Sequence, residues 1–167
     1  MIMENLNQKS LHGTHRQASH PYRKLLVMLI LSFMSMYVLM YAMVNSISNV
    51  FPNINQFYMA SLMAMPMVII ELALMGKMYR NKKWNAVLVS LSSLGVIVFF
   101  LLIQFQTGVS DKHFLKGMIP HHAAAILMSE QSKTQDPDLK KLQQEIISSQ
   151  QKEIKMMKAK LSELQRQ

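Results

Sequence analysis

The chain has 167 residues, half of them apolar, and a net charge of +9. One soluble domain seldom combines the two, so apolar and charged residues are expected to be segregated along the sequence. The lack of cysteine excludes disulfides and thiolate metal sites and leaves the 17 methionines as the only sulfur donors.

Residues 1–24 form a basic leader with Lys9, Arg16, Arg23 and Lys24. Its stretch HGTHRQASH places His12, His15 and His20 close together. Two readings fit: a metal-sensing arm, or a disordered tail whose charge sets membrane topology. Three apolar runs follow, at 25–44, 57–76 and 84–106. Each has the roughly 20 residues needed to cross a bilayer as a helix, and the first is too long for a cleavable signal. Lys77, Arg80, Lys82 and Lys83 separate the second run from the third, whereas NSISNVFPNINQ between the first two is uncharged. Positive flanks stay cytoplasmic, which puts the N-terminus inside and everything after Gln106 outside. Tyr22, Tyr79 and Trp84 are placed to anchor span ends at the interface.

Methionines crowd these spans. Met36, Met40 and Met43 share a face of the first, and Met59, Met63, Met67 and Met75 recur with Glu71 on the second. They read either as flexible apolar filler or as a thioether path for Cu(I). Glu71 is the sole charge in its span, so it calls for a partner: a salt bridge to Lys77 or Arg80, or a watery cavity. A small transporter using Glu71 is a weaker third reading. Pro66 is expected to kink the span.

The tail, 109–167, reads as two helices. Gly108 suits the end of the last span and Ser110 the cap of the next helix, from about Asp111 to Ser132. Pro120 lies inside it and removes one backbone hydrogen bond, predicting a kink or a start near Gly117. In KTQDPDLK, Asp136 is an N-cap, Pro137 the first helical residue and Asp138 a first-turn acid. On the first helix, Phe114, Leu115, Met118, His121, His122 and Ala125 fall in a stripe about 120° wide. On the second, Leu139, Gln143, Ile146, Ile147, Gln150, Glu153, Ile154, Met157, Leu161 and Leu164 share a face opposite Lys141, Lys152 and Lys155. Glu153 in that apolar seam costs on the order of several kcal/mol unless it is paired or binds a metal. The facing His121 and His122 are the available partners. Two helices cannot bury both stripes alone, which predicts a homodimer closing a four-helix bundle.

The segments DKHFLKGMIPHHAAAILMSEQ and IISSQQKEIKMMKAKL together resemble the domain-of-unknown-function 305 family over about residues 109–161. Phe114, Met118, His121, His122, Ala125 and Ile126 match its first segment, and Ile146, Gln150, Glu153, Ile154 and Met157 its second. The resemblance implies a ferritin-like fold, export and a link to copper. Many members carry the pattern twice; this chain carries it once, which strengthens the expectation of a dimer. A tryptophan common after the second-helix methionine is replaced here by Lys160.

The sequence therefore predicts an all-α chain of three transmembrane helices and an extracytoplasmic two-helix hairpin, in the bacterial cytoplasmic membrane. Met118, His121 and His122 lie at i, i+3 and i+4, so one ion can reach thioether and imidazole together. With Met157 and Glu153 they form the expected site for a copper ion, Cu(I) or Cu(II). Gln150 and Met128 are supporting positions, as further ligands or as partners that fix the imidazole tautomers. Copper sequestration, tolerance or delivery to a copper-handling membrane or periplasmic protein follows. The alternative is a module without metal that oligomerises or docks a membrane partner, with the polar seam fixing helix register. No phosphate loop or nucleophile–base set suggests an enzyme. The charge, shared evenly among leader, membrane region and tail, argues against a nucleic-acid partner.

Overall fold

The structure is a computed structural model that describes residues 21–166. The leader histidines His12, His15 and His20 lie outside the described residues. Those described are helical or in turns, in five α-helices: α1 Pro21–Leu39, α2 Ile54–Leu74, α3 Lys82–Gln104, α4 Asp111–Gln131 and α5 Pro137–Arg166. Two short 3-10 helices, Met40–Met43 and Ile47–Asn49, link α1 to α2.

Three helical stretches, Pro21–Met43, Ile54–Leu74 and Lys82–Gln104, are long and apolar enough to cross a membrane. α2 packs against both α1 and α3 and buries Ala60, Ala64, Val68 and Leu72. Leu26, Ile30, Leu31 and Val38 on α1, with Leu91, Leu94, Ile97 and Phe100 on α3, remain exposed. Surfaces of that kind are stable against lipid and not against water. α2 runs unbroken through Pro66. Gly95 permits the close approach of α3: a Cβ there would lie 3.0 Å from the Met65 sulfur.

Each end of this unit is fastened by polar contacts. At the basic end, the Tyr22 hydroxyl donates to Asn85 Oδ1 at 2.7 Å, Asn85 Nδ2 donates to the Tyr79 carbonyl, and the Tyr22 and Tyr79 rings lie 5.3 Å apart. Asn81 caps α3 by accepting from the amides of Lys83 and Trp84. At the other end, Asn53 caps α2 by accepting from the Gln56 amide. There too the Tyr58 hydroxyl donates to the Thr107 carbonyl, and Asn55 Nδ2 to Gln106 Oε1.

From this second end the chain turns through Gly108, whose φ of +73° lies in the left-handed region that glycine adopts freely, into α4. The Ser110 backbone stands at the predicted cap, but its side chain makes no cap hydrogen bond. Asp136 does cap α5, accepting from the amides of Asp138 and Leu139 at 2.8 and 3.0 Å. α4 continues through Pro120 without a break in its assignment, so it does not start near Gly117.

α4 and α5 pack against one another. Their core is Leu115, Ile119, Ala123 and Ile126 with Ile154 and Leu161, joined by the partly buried Met157, Leu164, Val44 and Phe51. The α5 face is the one predicted from Gln143 to Leu164, with Leu139 exposed, whereas the buried stripe of α4 is rotated from the expected one. Ile119 is 0% exposed and Phe114 51%. The aliphatics at 115, 119, 123 and 126 recur at helical spacing and bury more apolar surface than a stripe centred on two imidazoles. Val44 and Phe51 come from the α1–α2 link, so the helix pair and the apolar helices share one core.

Replacing Ile119 with Ala is expected to cost about 2–5 kcal/mol, the usual range for emptying such a position, while Phe114→Ala costs far less. Chemical melting of the full chain in detergent micelles measures both. Equal losses would mean that the buried face of α4 is misassigned.

Candidate functional site

His121 and His122 are neighbours in sequence and diverge in space. Successive helical residues point about 100° apart, and the two rings stand 6.4 Å apart, tilted by 64°. His122 turns towards α5. Its Nδ1 lies 2.9 Å from the Met118 carbonyl and its Nε2 lies 2.8 Å from Glu153 Oε2. A carbonyl only accepts, so Nδ1 carries a proton and donates it one turn back along α4. Nε2 then faces a carboxylate oxygen, a contact that requires a second proton or a cation between two electron-rich atoms.

Glu153 is held from a second side by the Ser149 hydroxyl, which donates to Oε1 at 2.7 Å. That hydrogen bond, followed by the one to His122, holds the carboxyl below its ordinary value of 4.5. The sequence placed Glu153 in an apolar seam, whereas its side chain is 42% exposed and that of His122 12%. Glu153 sits on the rim of the seam, where water retains part of its hydration, so the expected burial cost does not arise. Met157 packs one turn further along α5 against the core. Gln150 is half-buried on the same helix, and Met128 is exposed.

His121 is exposed and turns away from α5. With Met118 it lines a cavity of about 280 Å³ against the α1–α2 link and the start of α2, together with Met40, Met43 and Met59. The expected ligands thus divide between two places: His122, Glu153 and Met157 at the α4–α5 seam, and Met118 and His121 at the junction with the apolar helices. Among the described residues, no three His, Asp or Glu side chains gather in one group, so a metal at either place would rely on methionine or solvent for further donors. Sequence reasoning missed Ser149, although its position four residues before Glu153 is the usual helical spacing for such a contact. It also missed that Met40, Met43 and Met59 line one space with Met118 of α4.

Glu71 finds neither Lys77 nor Arg80. Its Oε1 accepts a hydrogen bond of 3.2 Å from the buried Tyr79 hydroxyl. A neutral donor satisfies the carboxylate near the basic end of α2, which supplies the partner that the sequence demanded.

Among the described residues, three apolar helices carry a further packed pair bearing a His–Glu contact. The chain belongs to the family described as Domain of unknown function (DUF305), whose profile matches residues 102–161, from the last turn of α3 into α5. It is 37% identical over 142 residues to Uncharacterized protein L153 of Acanthamoeba polyphaga mimivirus, covering 83% of this chain and 91% of that protein. A match of that length cannot be confined to the family segment, so the likeness extends into the apolar helices. No solved structure matches the chain.

Because Glu153 binds its proton less readily when folded than when unfolded, its contribution to stability is complete above the ordinary value of 4.5 and is lost as the pH falls through the lowered value. The melting temperature of the full chain is therefore expected to drop on acidification below pH 4.5. Glu153→Gln should flatten that drop, and Ser149→Ala should shift it to higher pH. Identical acid profiles for all three proteins would show that this carboxylate is not held as described.

Proposed function

We propose that the chain is a membrane-anchored, extracytoplasmic metal-binding protein and not an enzyme. It holds a copper ion, Cu(I) or Cu(II), for sequestration, tolerance or delivery to a copper-handling membrane or periplasmic protein. The observation that carries this reading is the contact between His122 Nε2 and Glu153 Oε2 at 2.8 Å, with Nδ1 already committed to the Met118 carbonyl. A metal displaces the proton between imidazole and carboxylate and takes both as ligands, while the carbonyl fixes the tautomer from the far side of the ring. Imidazole and carboxylate suit Cu(II), and the neighbouring thioether of Met157 suits Cu(I).

The setting follows from charge. Arg23, Lys24, Lys77, Arg80, Lys82 and Lys83 flank the apolar helices at the end away from α4 and α5. With positive charge retained inside, the N-terminus is cytoplasmic and the helix pair lies outside the cytoplasmic membrane of a bacterium. The pair leaves Phe114, Met128, Leu139, Leu142 and Met156 exposed, which supports a second copy completing a ferritin-like four-helix bundle.

A second reading also has an observation in its favour. A doubly protonated His122 satisfies both ring nitrogens without any metal, so the His122–Glu153 contact can serve only to fix the register of α4 on α5. Copper titration of the full chain in micelles separates the two. Metal binding at the seam predicts one copper equivalent that raises the melting temperature and is lost on His122→Ala. The register reading predicts a melting temperature indifferent to copper. A copper count unchanged by His122→Ala would sink the proposal.

A further inference from the structure

The junction cavity has a lining that the His122–Glu153 site does not use. α1 gives way to a 3-10 helix at Met40–Met43. At three residues per turn, positions i and i+3 lie on one side, and both Met40 and Met43 line the cavity. Met59 reaches the same cavity from the second turn of α2, and Met118 and His121 from α4. Four thioethers and one imidazole from three segments far apart in sequence thus border one space of about 280 Å³. No carboxylate, ammonium or guanidinium is among its lining residues.

The amides at its edge add no charge. Asn53 and Gln56 are engaged with each other and with the α2 cap. Asn55 spends its Nδ2 on Gln106, and its Oδ1 is buried without a hydrogen-bond partner among the described residues.

We propose that this cavity is a second metal site, for a soft monovalent cation such as Cu(I), bound by the thioethers of Met40, Met43, Met59 and Met118 and the imidazole of His121. Neutral sulfur donors with one imidazole select soft ions over magnesium, calcium or zinc. Methionine side chains have three rotatable bonds and can swing inwards over an ion much smaller than the cavity. Plain apolar filling explains any one of these methionines, but not the gathering of four of them with an imidazole from three segments. The site extends the metal-binding reading from the helix pair to the apolar helices, while its ligands are independent of Glu153 and His122.

Silver(I), which resembles Cu(I) and does not change oxidation state, serves as the probe on the full chain in detergent micelles. The ion count and affinity are read for wild type, a Met40→Leu/Met43→Leu/Met59→Leu variant and a His122→Ala variant. The expected result is that the leucine variant loses one bound silver ion that the His122→Ala variant keeps. Because three substitutions at a packed junction can loosen the fold, the exposed His121→Ala change is a second probe, expected to weaken the same ion by about tenfold or more. If the leucine variant and His121→Ala both keep the wild-type ion count and affinity, the junction site does not exist. If instead silver survives in His122→Ala but no copper binds at the seam in any variant, the reading of the seam fails and the junction site stands.

Discussion

Adjacent residues on an α-helix cannot face the same neighbour, and that geometric rule organises this molecule. α4 is covered by α5 on one side and by the α1–α2 link and the start of α2 on another. Its consecutive histidines therefore enter different environments. One meets a carboxylate on the rim of a helix seam, and the other meets thioethers at the base of the pair. Two chemically distinct places arise from a single His-His dipeptide because the helix carrying it is packed on more than one face.

The same packing makes the apolar helices more than a tether. Val44 and Phe51 complete the core of the α4–α5 pair, Asn53 Nδ2 reaches the Lys116 carbonyl at 3.5 Å, and Lys158 reaches Ser48 on the link. Two helices alone bury too little apolar surface to be stable. Here part of the deficit is made up within the chain, and the exposed Leu139, Leu142 and Met156 mark what is left over. Similarity to the viral relative over 142 residues shows that anchor and pair travel together in at least one other protein.

Much of this was legible in the residues. The apolar runs and their charged borders located the three spans to within a few residues, since length and hydropathy leave few alternatives. Asp136 and Pro137 marked the start of α5 because their side chains act locally on the first turn. What depended on distant partners was not legible. The roll of α4 was misread because two stripes at helical spacing overlap on it, and only the position of α5 decides between them. The exposure of Glu153 and the choice of Tyr79 over Lys77 for Glu71 are likewise tertiary outcomes. That Met40 and Met43 share a cavity with His121 depended on how α4 lies against the α1–α2 link.

The bend at residues 105–110, pinned by Tyr58 and Asn55 through Thr107 and Gln106, fixes how far α4 stands from the apolar helices. With so short a neck and a second grip through the α1–α2 link, the pair is held against the apolar helices from two sides. Any molecule that reaches the pair at its base therefore meets the ends of those helices as well.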